Sequence, residues 1–422
     1  MREKSTEERF GSRTLWDTLE EMARQRIQHF VQELLEEEVT ALVGRAKSQR
    51  RALVGQERRV YRNGYGKPRR LSLSCGTIEL RRPRVRGMEE RFESRVLPLF
   101  QRRTRQVGEL LPQLYLHGLA QGDFELALRG LLGEGVPLSG ASIGRLREKW
   151  VAEYEAWSKR SLVGLEPVYL WADGIYVKAG LEKDKAALLV VLAALADGRK
   201  VLLAVEAGHR ESASSWAALL RALRALRARG LQIPKLVVAD GHLGIWAALG
   251  EVFPEVSEQR CWNHKLVNVV DRLLRRLQAQ ARELLQPIPY APTREQAEKL
   301  RDRFVDQFRV DHPAAAETLL RDWERMVTFY DFPKEHWKHL RTTNPIESPF
   351  ASVRLRTNAG KRYKKVANAT ALIWRLLLVA EKNFRRIDHP ELLSEVLRGK
   401  PFVDGIRVVV QDHLPPAEEV AA

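Results

Sequence analysis

The sequence predicts a multidomain protein of the α/β class (multi-domain α+β), in which a mixed sheet with helices is combined with largely helical segments. Short apolar runs alternate with helical segments in the middle of the chain, whereas hydrophobic residues on either side recur at helical spacing. A length of 422 residues is also long for a single hydrophobic core. We therefore expect two or three domains.

Composition excludes several classes of protein. Hydrophobic residues make up 44% of the chain, which is enough for sizeable cores and excludes intrinsic disorder as the main description. No apolar run approaches the roughly 20 residues that cross a bilayer, and two cysteines are too few for a disulfide framework. The sequence therefore predicts a soluble cytoplasmic protein with no membrane partner.

The net charge of +17 is typical of proteins that bind polyanions, and nucleic acid is the first partner to consider. The charge is concentrated in two segments. Residues 44–106 hold 19 Lys and Arg against 5 acids, and residues 338–365 hold 8 against a single acid, Glu347. We interpret these basic segments as two DNA contact surfaces; solvated faces rich in arginine are the alternative.

The N-terminal third predicts helix, then strands, then helices. Residues 14–46 have the spacing of one or two amphipathic helices, whose apolar face would serve self-association or packing within the chain. Residues 61–66 (YRNGYG) contain an Asn-Gly turn signal, and residues 69–86 alternate apolar and polar side chains as short strands do. Helical spacing returns over residues 106–157, where residues 141–157 resemble either the second helix of a helix-turn-helix or a helix at a domain interface.

The middle of the chain predicts three strands, a helix, a fourth strand and a second helix. These elements are expected at residues 168–179, 186–196, 201–207, 212–229, 235–240 and 244–253. An Asp197-Gly198 turn joins the second and third strands. Because no helix separates the first three strands, the order fits a mixed sheet of the ribonuclease H type better than a doubly wound parallel sheet.

The chain after residue 263 is helical for about seventy residues and predicts a helical insertion, followed by helices that start near Asn344 and at residue 369. The expected domain boundaries follow from these patterns. They are 1–105 for an N-terminal helix with a basic β-rich DNA-binding region, 106–165 for a helical region, 166–265 with 335–400 for the catalytic domain, 266–334 for the helical insertion and 401–422 for a tail.

Two aspartates interrupt the predicted strands. Asp173 lies within the apolar segment YLWADGIYV, and Asp240 ends the segment LVVADGH. A strand carboxylate is disfavoured by propensity and by burial, and an Asp-Gly turn explains Asp240 well but Asp173 poorly. The first and fourth strands of a ribonuclease H sheet are neighbours. The two carboxylates would then converge and supply oxygen ligands for divalent cations.

Glu347 is the candidate for a third carboxylate, because it is the only acid in its basic segment. The alternative is structural. With Asn344 as the N-cap and Pro345 in the first helical position, Glu347 would close a capping box without any metal. The local pattern leaves both interpretations open, and only the presence of Asp173 and Asp240 favours the functional one.

Cys261 and His264 form a C-x-x-H pair at a predicted strand-to-helix junction. A structural zinc site takes four Cys or His ligands, and a site here would have to borrow histidines such as His242 from a distance. We therefore expect no zinc and assign Cys261, His264 and His242 structural or accessory roles near the acidic site. Because the chain has neither a phosphate-binding glycine-rich loop with its lysine nor a dinucleotide fingerprint, no nucleotide cofactor is expected.

Six strings in the sequence together resemble the Mutator-type family of bacterial insertion-sequence transposases, which are DDE transposases. In chain order they are YRNGY, LWADGIYVKA, GHRESASSW, RGLQIPKLVVADGHLGIW, FPEVSEQRCWNHK and LRTTNPIES. The resemblance runs from roughly residue 33 to residue 384. It implies a ribonuclease H-like catalytic domain that is interrupted by an all-helical insertion and preceded by a basic helical and β N-terminal DNA-binding region.

The resemblance also implies the site and the reaction. Asp173, Asp240 and Glu347 fall on the DDE positions, where they would bind two Mg²⁺ or Mn²⁺ ions, and Cys261 and His264 fall on the family's C-x-x-H signature. The implied substrates are terminal inverted-repeat DNA and target DNA, cleaved and joined by a copy-out, paste-in route through a circular intermediate. Synapsis of two ends implies a homodimer or higher oligomer, associated with the nucleoid when bound to DNA.

Basic residues of both segments are predicted to contact DNA. The candidates are Arg62, Lys67, Arg69, Arg70, Arg82, Arg84, Arg341, Arg354, Arg356, Lys361 and Arg362. Arg354 lies seven residues after Glu347, so a continuous helix would project both from one face, where Arg354 would hold a phosphate near the metals. A solvent-facing Arg354 is the alternative.

Two other functions are compatible with the same residues. One is a metal-dependent, structure-selective DNA nuclease, because a fold does not fix a function. The other is a catalytically decayed DNA-binding protein. The intact set of three acids argues against decay.

Overall fold

The computed structural model describes residues 15–49, 60–119, 123–132, 140–180, 186–208, 221–241, 244–360 and 362–408. The chain divides into two compact units, Met1–Leu146 and Arg147–Ala422. None of the helices in the described ranges combines the length and apolar character needed to span a membrane.

The first unit begins with the long helix α1 (Leu15–Val43), as the hydrophobic spacing predicts. Four short strands follow it: β1 (Tyr61–Tyr65), β2 (Arg69–Leu73), β3 (Gly76–Leu80) and β4 (Pro83–Arg86). The core between α1 and the strands is apolar, because Leu35 of α1 packs with Ile78, Leu80 and Leu97. Helices α2 (Arg105–Leu116) and α3 (Phe124–Leu132) complete the elements that lie wholly within this unit.

The Asn-Gly pair at residues 63–64 does not form the expected hairpin turn. It lies inside β1, which pairs antiparallel with β4, and the register shifts between Arg62 and Tyr65. Gly64 has a φ of +64° at this irregularity. The positive φ that suits glycine therefore serves a β-bulge within a strand and not a two-residue hairpin loop.

A five-stranded sheet forms the centre of the second unit. Its strands are β5 (Pro167–Val177), β6 (Ala186–Leu195), β7 (Lys200–Gly208), β8 (Leu236–Ala239) and β9 (Ser257–Arg260). The spatial order is β7-β6-β5-β8-β9, with antiparallel pairing among the first three strands and parallel pairing of β8 with β5 and β9. The ribonuclease H-type order is confirmed, and β5 and β8 are neighbours.

Strand β9 was not expected from the sequence. Its residues, SEQR, are polar and too few to show a hydrophobic period. The strand exists because the backbone of β8 offers a parallel edge, with Leu236 opposite Ser257. Tertiary pairing thus overrides local propensity here.

Helices and one hairpin account for the remainder of the described chain. The α-helices are α4 (Gly140–Ser158), α5 (Ile245–Val252), α6 (Trp262–Val270), α7 (Gln278–Leu285), α8 (Arg294–Phe308), α9 (Pro313–Leu320), α10 (Trp323–Val327), α11 (Trp337–Leu340), α12 (Asn344–Ala359), α13 (Val366–Glu381) and α14 (Glu391–Leu397). The hairpin consists of β10 (Phe402–Val403) and β11 (Ile406–Arg407). The hairpin lies in the segment expected to be a tail. Neither a helix-turn-helix nor the expected domain boundaries are tested by this arrangement.

The two faces of β5 have different partners. Leu170 and Ala172 belong to the apolar cluster that includes Ala248 of α5. Side chains alternate along a strand, so Tyr169, Trp171 and Asp173 share the other face. There the Tyr169 hydroxyl lies 2.8 Å from His336 Nδ1, and Trp171 Nε1 donates to the His339 carbonyl at 2.9 Å. These contacts hold the chain that leads into α12 against the face that carries Asp173.

Gln259 joins β9 to the helical segment around residue 326. The side chain is fully buried, its Nε2 donates to the Met326 carbonyl at 3.1 Å, and its Oε1 accepts from the Phe329 N–H at 2.9 Å. Trp262 Nε1 donates to the same Met326 carbonyl at 2.8 Å. The last strand of the sheet and the segment around residues 326–329 are therefore bonded through one buried amide.

Replacing this amide tests the connection. We expect Gln259→Leu to lower the free energy of unfolding by about 1–3 kcal/mol, because the buried Phe329 N–H loses its acceptor. Gln296→Leu, an exposed position in α8, is the control and should change stability by less than about 0.5 kcal/mol. Urea unfolding followed by circular dichroism measures both, and equal effects of the two variants would contradict the assignment.

Candidate active site

Asp173 and Asp240 lie side by side on adjacent parallel strands. Ala172 of β5 and Ala239 of β8 are register partners, and each aspartate is the next residue along its strand or just beyond it. Neighbouring strands lie about 4.8 Å apart, and register partners of a parallel pair point to the same face. The convergence expected from the sequence is therefore present in the backbone.

Burial and the charges of Asp240 and Glu347 raise the pKa of Asp173. Desolvation is the largest cause, the negative charges of Asp240 and Glu347 add to it, and the pKa reaches about 6. The Gly174 N–H, which donates to Asp173 Oδ1 at 2.7 Å, and the charge of His264 oppose the shift. Burial and, to a smaller extent, the neighbouring negative charges thus both disfavour the ionised form of Asp173.

Glu347 is held in the first turn of α12 by Thr343. The N-cap is Thr343, not Asn344, so Glu347 lies one position beyond the place that a capping box requires. The capping-box interpretation is therefore wrong for this helix. Instead, the Thr343 hydroxyl donates to Glu347 Oε1, and the Glu347 N–H donates to the Thr343 carbonyl at 3.0 Å.

Cys261 connects this turn to the end of β8. The cysteine is fully buried and is the N-cap of α6, and its N–H donates to the Ala239 carbonyl at 2.7 Å. The Thr343 N–H donates to Cys261 Sγ at 3.3 Å, and Thr343 Oγ1 lies 3.2 Å from the same sulfur. A single hydroxyl proton serves only one acceptor, and the Glu347 carboxylate is the stronger. Cys261 thus fixes Thr343, which in turn fixes Glu347.

His264 supplies positive charge to the acidic cluster. Its Nδ1 lies 3.8 Å from Glu347 Oε1. A hydrogen bond to Cys261 is the largest cause of a raised pKa, and the charges of Asp240 and Asp173 add to it, so the pKa of His264 reaches about 9. The imidazole is therefore protonated at neutral pH and offsets part of the negative charge.

Most of the chain matches one family of known proteins. The family model described as "Transposase, Mutator family" matches residues 2–386. The chain belongs to the Mutator family of transposases. It is 42% identical over 299 residues to the transposase for insertion sequence element IS6120 of Mycolicibacterium smegmatis, covering 71% of this chain and 92% of that protein.

Two further relatives carry similar names. The transposase for insertion sequence element IST2 of Acidithiobacillus ferrooxidans is 40% identical over 298 residues, which cover 70% of this chain and 99% of that protein. The transposase for ISRM5 of Rhizobium meliloti is 31% identical over 369 residues, which cover 86% and 88% of the two chains. This Mutator-family chain thus aligns with nearly the full length of the first two relatives.

The donor atoms of the cluster decide which cations fit it. Asp173, Asp240 and Glu347 offer carboxylate oxygens, the ligands that Mg²⁺ and Mn²⁺ prefer, and the charges of Asp240 and Glu347 act on Asp173 in a way that a cation would balance. A softer set lies beside them. Among the residues that the structure describes, Cys261, His264 and Glu347 form a group whose ligand-type atoms lie within 4.8 Å of one another. A metal bound at this softer set would have to displace the ring proton of His264.

The predicted DNA contacts of the first unit differ in accessibility. Lys67, Arg70 and Arg84 are exposed. Arg62 instead forms an ion pair with Glu36 at 2.6 Å, its side chain only 18% exposed. Arg69 donates to the Gln101 carbonyl at 2.9 Å, so the guanidinium groups of Arg69 and Arg62 are partly used within the protein. Arg82 is partly buried.

The predicted contacts in the second basic segment also separate. Arg354 and Arg362 are exposed, Arg341 is half-buried, and Arg356 is only 2% exposed in α12. A phosphate contact by Arg356 would require its guanidinium to leave the interior. Lys361 and His242 lie outside the described residues.

Thr343 is the site residue that the sequence analysis missed. Its signal was present, because it lies within the LRTTNPIES string directly before the helix that carries Glu347. A hydroxyl residue before a helix was assigned no function there, since Asn344 next to it is an equally good N-cap by type. Only the contact with Cys261, which lies 82 positions away in the sequence, distinguishes Thr343 from Asn344.

The raised pKa of Asp173 predicts how stability depends on pH. Because the folded-state pKa of about 6 exceeds the ordinary aspartate value of 3.8, ionisation of Asp173 destabilises the fold above pH 4, and the loss of stability is complete above pH 6. Without divalent metal, Asp173→Asn should therefore be more stable than the parent by about 1–3 kcal/mol at pH 7.5 and equal to it near pH 4.

Thermal unfolding at both pH values in EDTA measures this difference. Asp306→Asn, an exposed position in α8, is the control and should leave the stability at either pH nearly unchanged. A destabilised Asp173→Asn protein at pH 7.5 would show that the carboxylate is satisfied by the fold and not strained by it.

Proposed function

We propose that this chain is a DDE transposase that cleaves DNA at the ends of its insertion sequence and joins the ends to a target in metal-dependent phosphoryl transfers. The observation that carries the proposal is the convergence of Asp173, Asp240 and Glu347 on one face of a ribonuclease H-type sheet. The relatives named above are transposases for insertion sequences, which supports the same substrate class.

The roles of the residues follow from their chemistry. Asp173, Asp240 and Glu347 would hold two Mg²⁺ or Mn²⁺ ions, which when bound stabilise the attacking and leaving oxygens of a phosphodiester displacement. Asp173 is fixed by the rigid pairing of β5 on both sides. Glu347 is oriented by the Thr343 hydroxyl, so its carboxylate is positioned before DNA arrives. No covalent bond between protein and DNA is needed.

His264 controls the charge of the cluster. Its imidazolium lies 3.8 Å from Glu347 Oε1 and lowers the pKa of Asp173, which favours the ionised form of that carboxyl group. Ionised carboxylates are the form that binds a hard cation. His264 is therefore a positioning residue for the acidic cluster. Cys261 is a second positioning residue, because it fixes Thr343, which orients Glu347.

The exposed basic residues define two proposed DNA surfaces. The end-binding surface comprises the exposed side chains of the first unit, Lys67, Arg70 and Arg84, and the second surface comprises Arg354 and Arg362 near Glu347. The first would hold the terminal inverted repeats and the second the DNA at the reacting phosphates. A copy-out, paste-in route on a homodimer, with the protein on the nucleoid, is part of the same proposal.

Substitution of the three carboxylates tests the chemistry. Asp173→Asn, Asp240→Asn and Glu347→Gln should each abolish Mg²⁺-dependent cleavage of an element end, because each loses a metal ligand, while DNA affinity stays within about twofold. Duplexes that carry the DNA flanking the reading frame are the substrate. Gel analysis of cleaved strands and fluorescence anisotropy of binding measure the two properties.

The controls for this test separate the alternatives. Glu283→Gln and Asp306→Asn, exposed carboxylates outside the cluster, should cleave like the parent protein. Retained cleavage in any of the three cluster variants would remove that residue from the assignment. Equal cutting of end-bearing and scrambled DNA would indicate a nuclease, and binding without cleavage in Mg²⁺ and Mn²⁺ would indicate a decayed transposase.

Neutralising the end-binding surface tests its role. The triple substitution Lys67→Gln, Arg70→Gln and Arg84→Gln should weaken DNA binding and flatten its salt dependence, because each phosphate contact contributes about −0.9 to the slope of log K against log salt concentration. Anisotropy titrations at several salt concentrations measure the slope.

A second triple substitution is the matched control. Arg275→Gln, Arg276→Gln and Arg303→Gln remove the same charge from exposed positions outside both basic segments. This control variant should keep the parent slope. If both triple variants lower the slope equally, binding depends on net charge and the proposed surface does not exist.

A further inference from the structure

A cavity of about 530 Å³ opens beside the acidic cluster, within the second unit. Trp262, Asn263, Pro289, Tyr290, Arg341 and Thr342 contribute to its lining. Its size falls within the range of small-ligand sites. No residue of the proposed metal cluster lines it, although Asn263 directly precedes His264 and Thr342 directly precedes Thr343. The cavity is thus separate from the proposed metal cluster and lies next to it.

An exposed aromatic ring forms one side of this cavity. Tyr290 ends the short 3-10 turn Ile288–Tyr290, and its side chain is 73% exposed. Pro289 beside it is buried, which fixes the backbone that presents the ring. A tyrosine held outward on rigid backbone offers a flat apolar face at little entropic cost.

A cationic side chain lies against the same ring. The Arg341 guanidinium carbon is 4.8 Å from the Tyr290 ring centroid, 5.5 Å from that of Phe329 and 5.7 Å from that of Trp337. Its guanidinium makes no hydrogen bond to any residue in the described part of the chain, and its Nε is buried. The aromatic rings therefore hold Arg341 in place while its hydrogen-bonding capacity stays unused.

An amide pair connects the cavity to the catalytic helix. Asn263 Nδ2 donates to Asn344 Oδ1 at 2.9 Å, and both side chains belong to exposed residues. Asn344 opens α12 and lies three residues before Glu347, so the two project from neighbouring positions of one helix face. A group bound in the cavity would therefore lie close to Glu347.

We propose that this cavity binds one unpaired nucleobase of the DNA strand that enters the active site. The base would stack on Tyr290, its phosphate would bind Arg341, and the Asn263 amide would meet the polar edge of the base. Charge favours this occupant, because Arg341 belongs to the basic segment 338–365, in which Glu347 is the only acid. A duplex does not fit the description, since its bases are stacked on one another and present no free face. The proposal rests on the proposed function, because it requires DNA as the substrate.

Single-stranded and duplex DNA separate this proposal from general DNA binding. The probes are a 15-mer oligothymidylate and a 15-base-pair duplex, titrated by anisotropy without divalent metal against the full-length Asp173→Asn protein, which keeps cleavage out of the assay. Adding Tyr290→Ala should weaken single-strand binding roughly 5- to 100-fold, as expected for the loss of one stacked base, and duplex binding by less than about twofold. Tyr290→Phe keeps the ring and should bind like the parent.

A photocrosslink locates the base directly. A 15-mer oligothymidylate with one 5-iodouracil, irradiated on the same protein, should form its adduct on Tyr290 or Trp262, as read by mass spectrometry. Val310→Ala, which removes a side chain that is 87% exposed and outside the cavity, is the control and should change neither affinity nor crosslink. Equal loss of single-strand and duplex binding in Tyr290→Ala, no loss in either, or an adduct wholly outside the cavity would overturn the inference. If the parent protein binds neither the single-stranded probe nor the duplex, the proposed function would be overturned instead.

Discussion

The parallel pairing of β5 with β8 is the constraint on which the site depends. It places Asp173 and Asp240 on adjacent strands at the same level, where burial and the charge of Asp240 both oppose ionisation of Asp173. Such an arrangement has a cost in the folded protein, and backbone hydrogen bonds on both sides of β5 hold it nonetheless. A bound cation would offset this cost, because it neutralises part of the charge of the carboxylates.

The third carboxylate reaches this point by a different route. Glu347 is not on the sheet but on a helix, and the chain before that helix is fixed by Tyr169 and Trp171 on the Asp173 face of β5. The last step is local, through Thr343 and Cys261. Two kinds of restraint thus meet at one carboxylate: buried aromatic residues set the path of the chain, and a short polar contact sets the side chain.

The sequence predicted those features that depend on local pattern or on strand order. The apolar runs gave β5, β6, β7 and β8 nearly to the residue, and the order of elements led to the neighbouring positions of Asp173 and Asp240. It did not predict β9, whose polar residues form a strand only because β8 offers an edge, nor the bulge at Gly64, because an Asn-Gly pair serves turns and bulges alike. The burial of Arg356 and the ion pair of Arg62 with Glu36 could not be predicted either, because composition locates basic segments but not the direction of each side chain.

The contact between Cys261 and Thr343 closes a loop of 82 residues at its base. Both ends of the segment 261–343 therefore meet at the acidic cluster. Loop-closure entropy rises only slowly with length, so a change in the length of an exposed turn within this segment costs little entropy while the Cys261–Thr343 contact stays formed. Buried residues of the segment such as Met326 and Phe329 are not free in this way, because they bond to Gln259 on the last strand of the sheet.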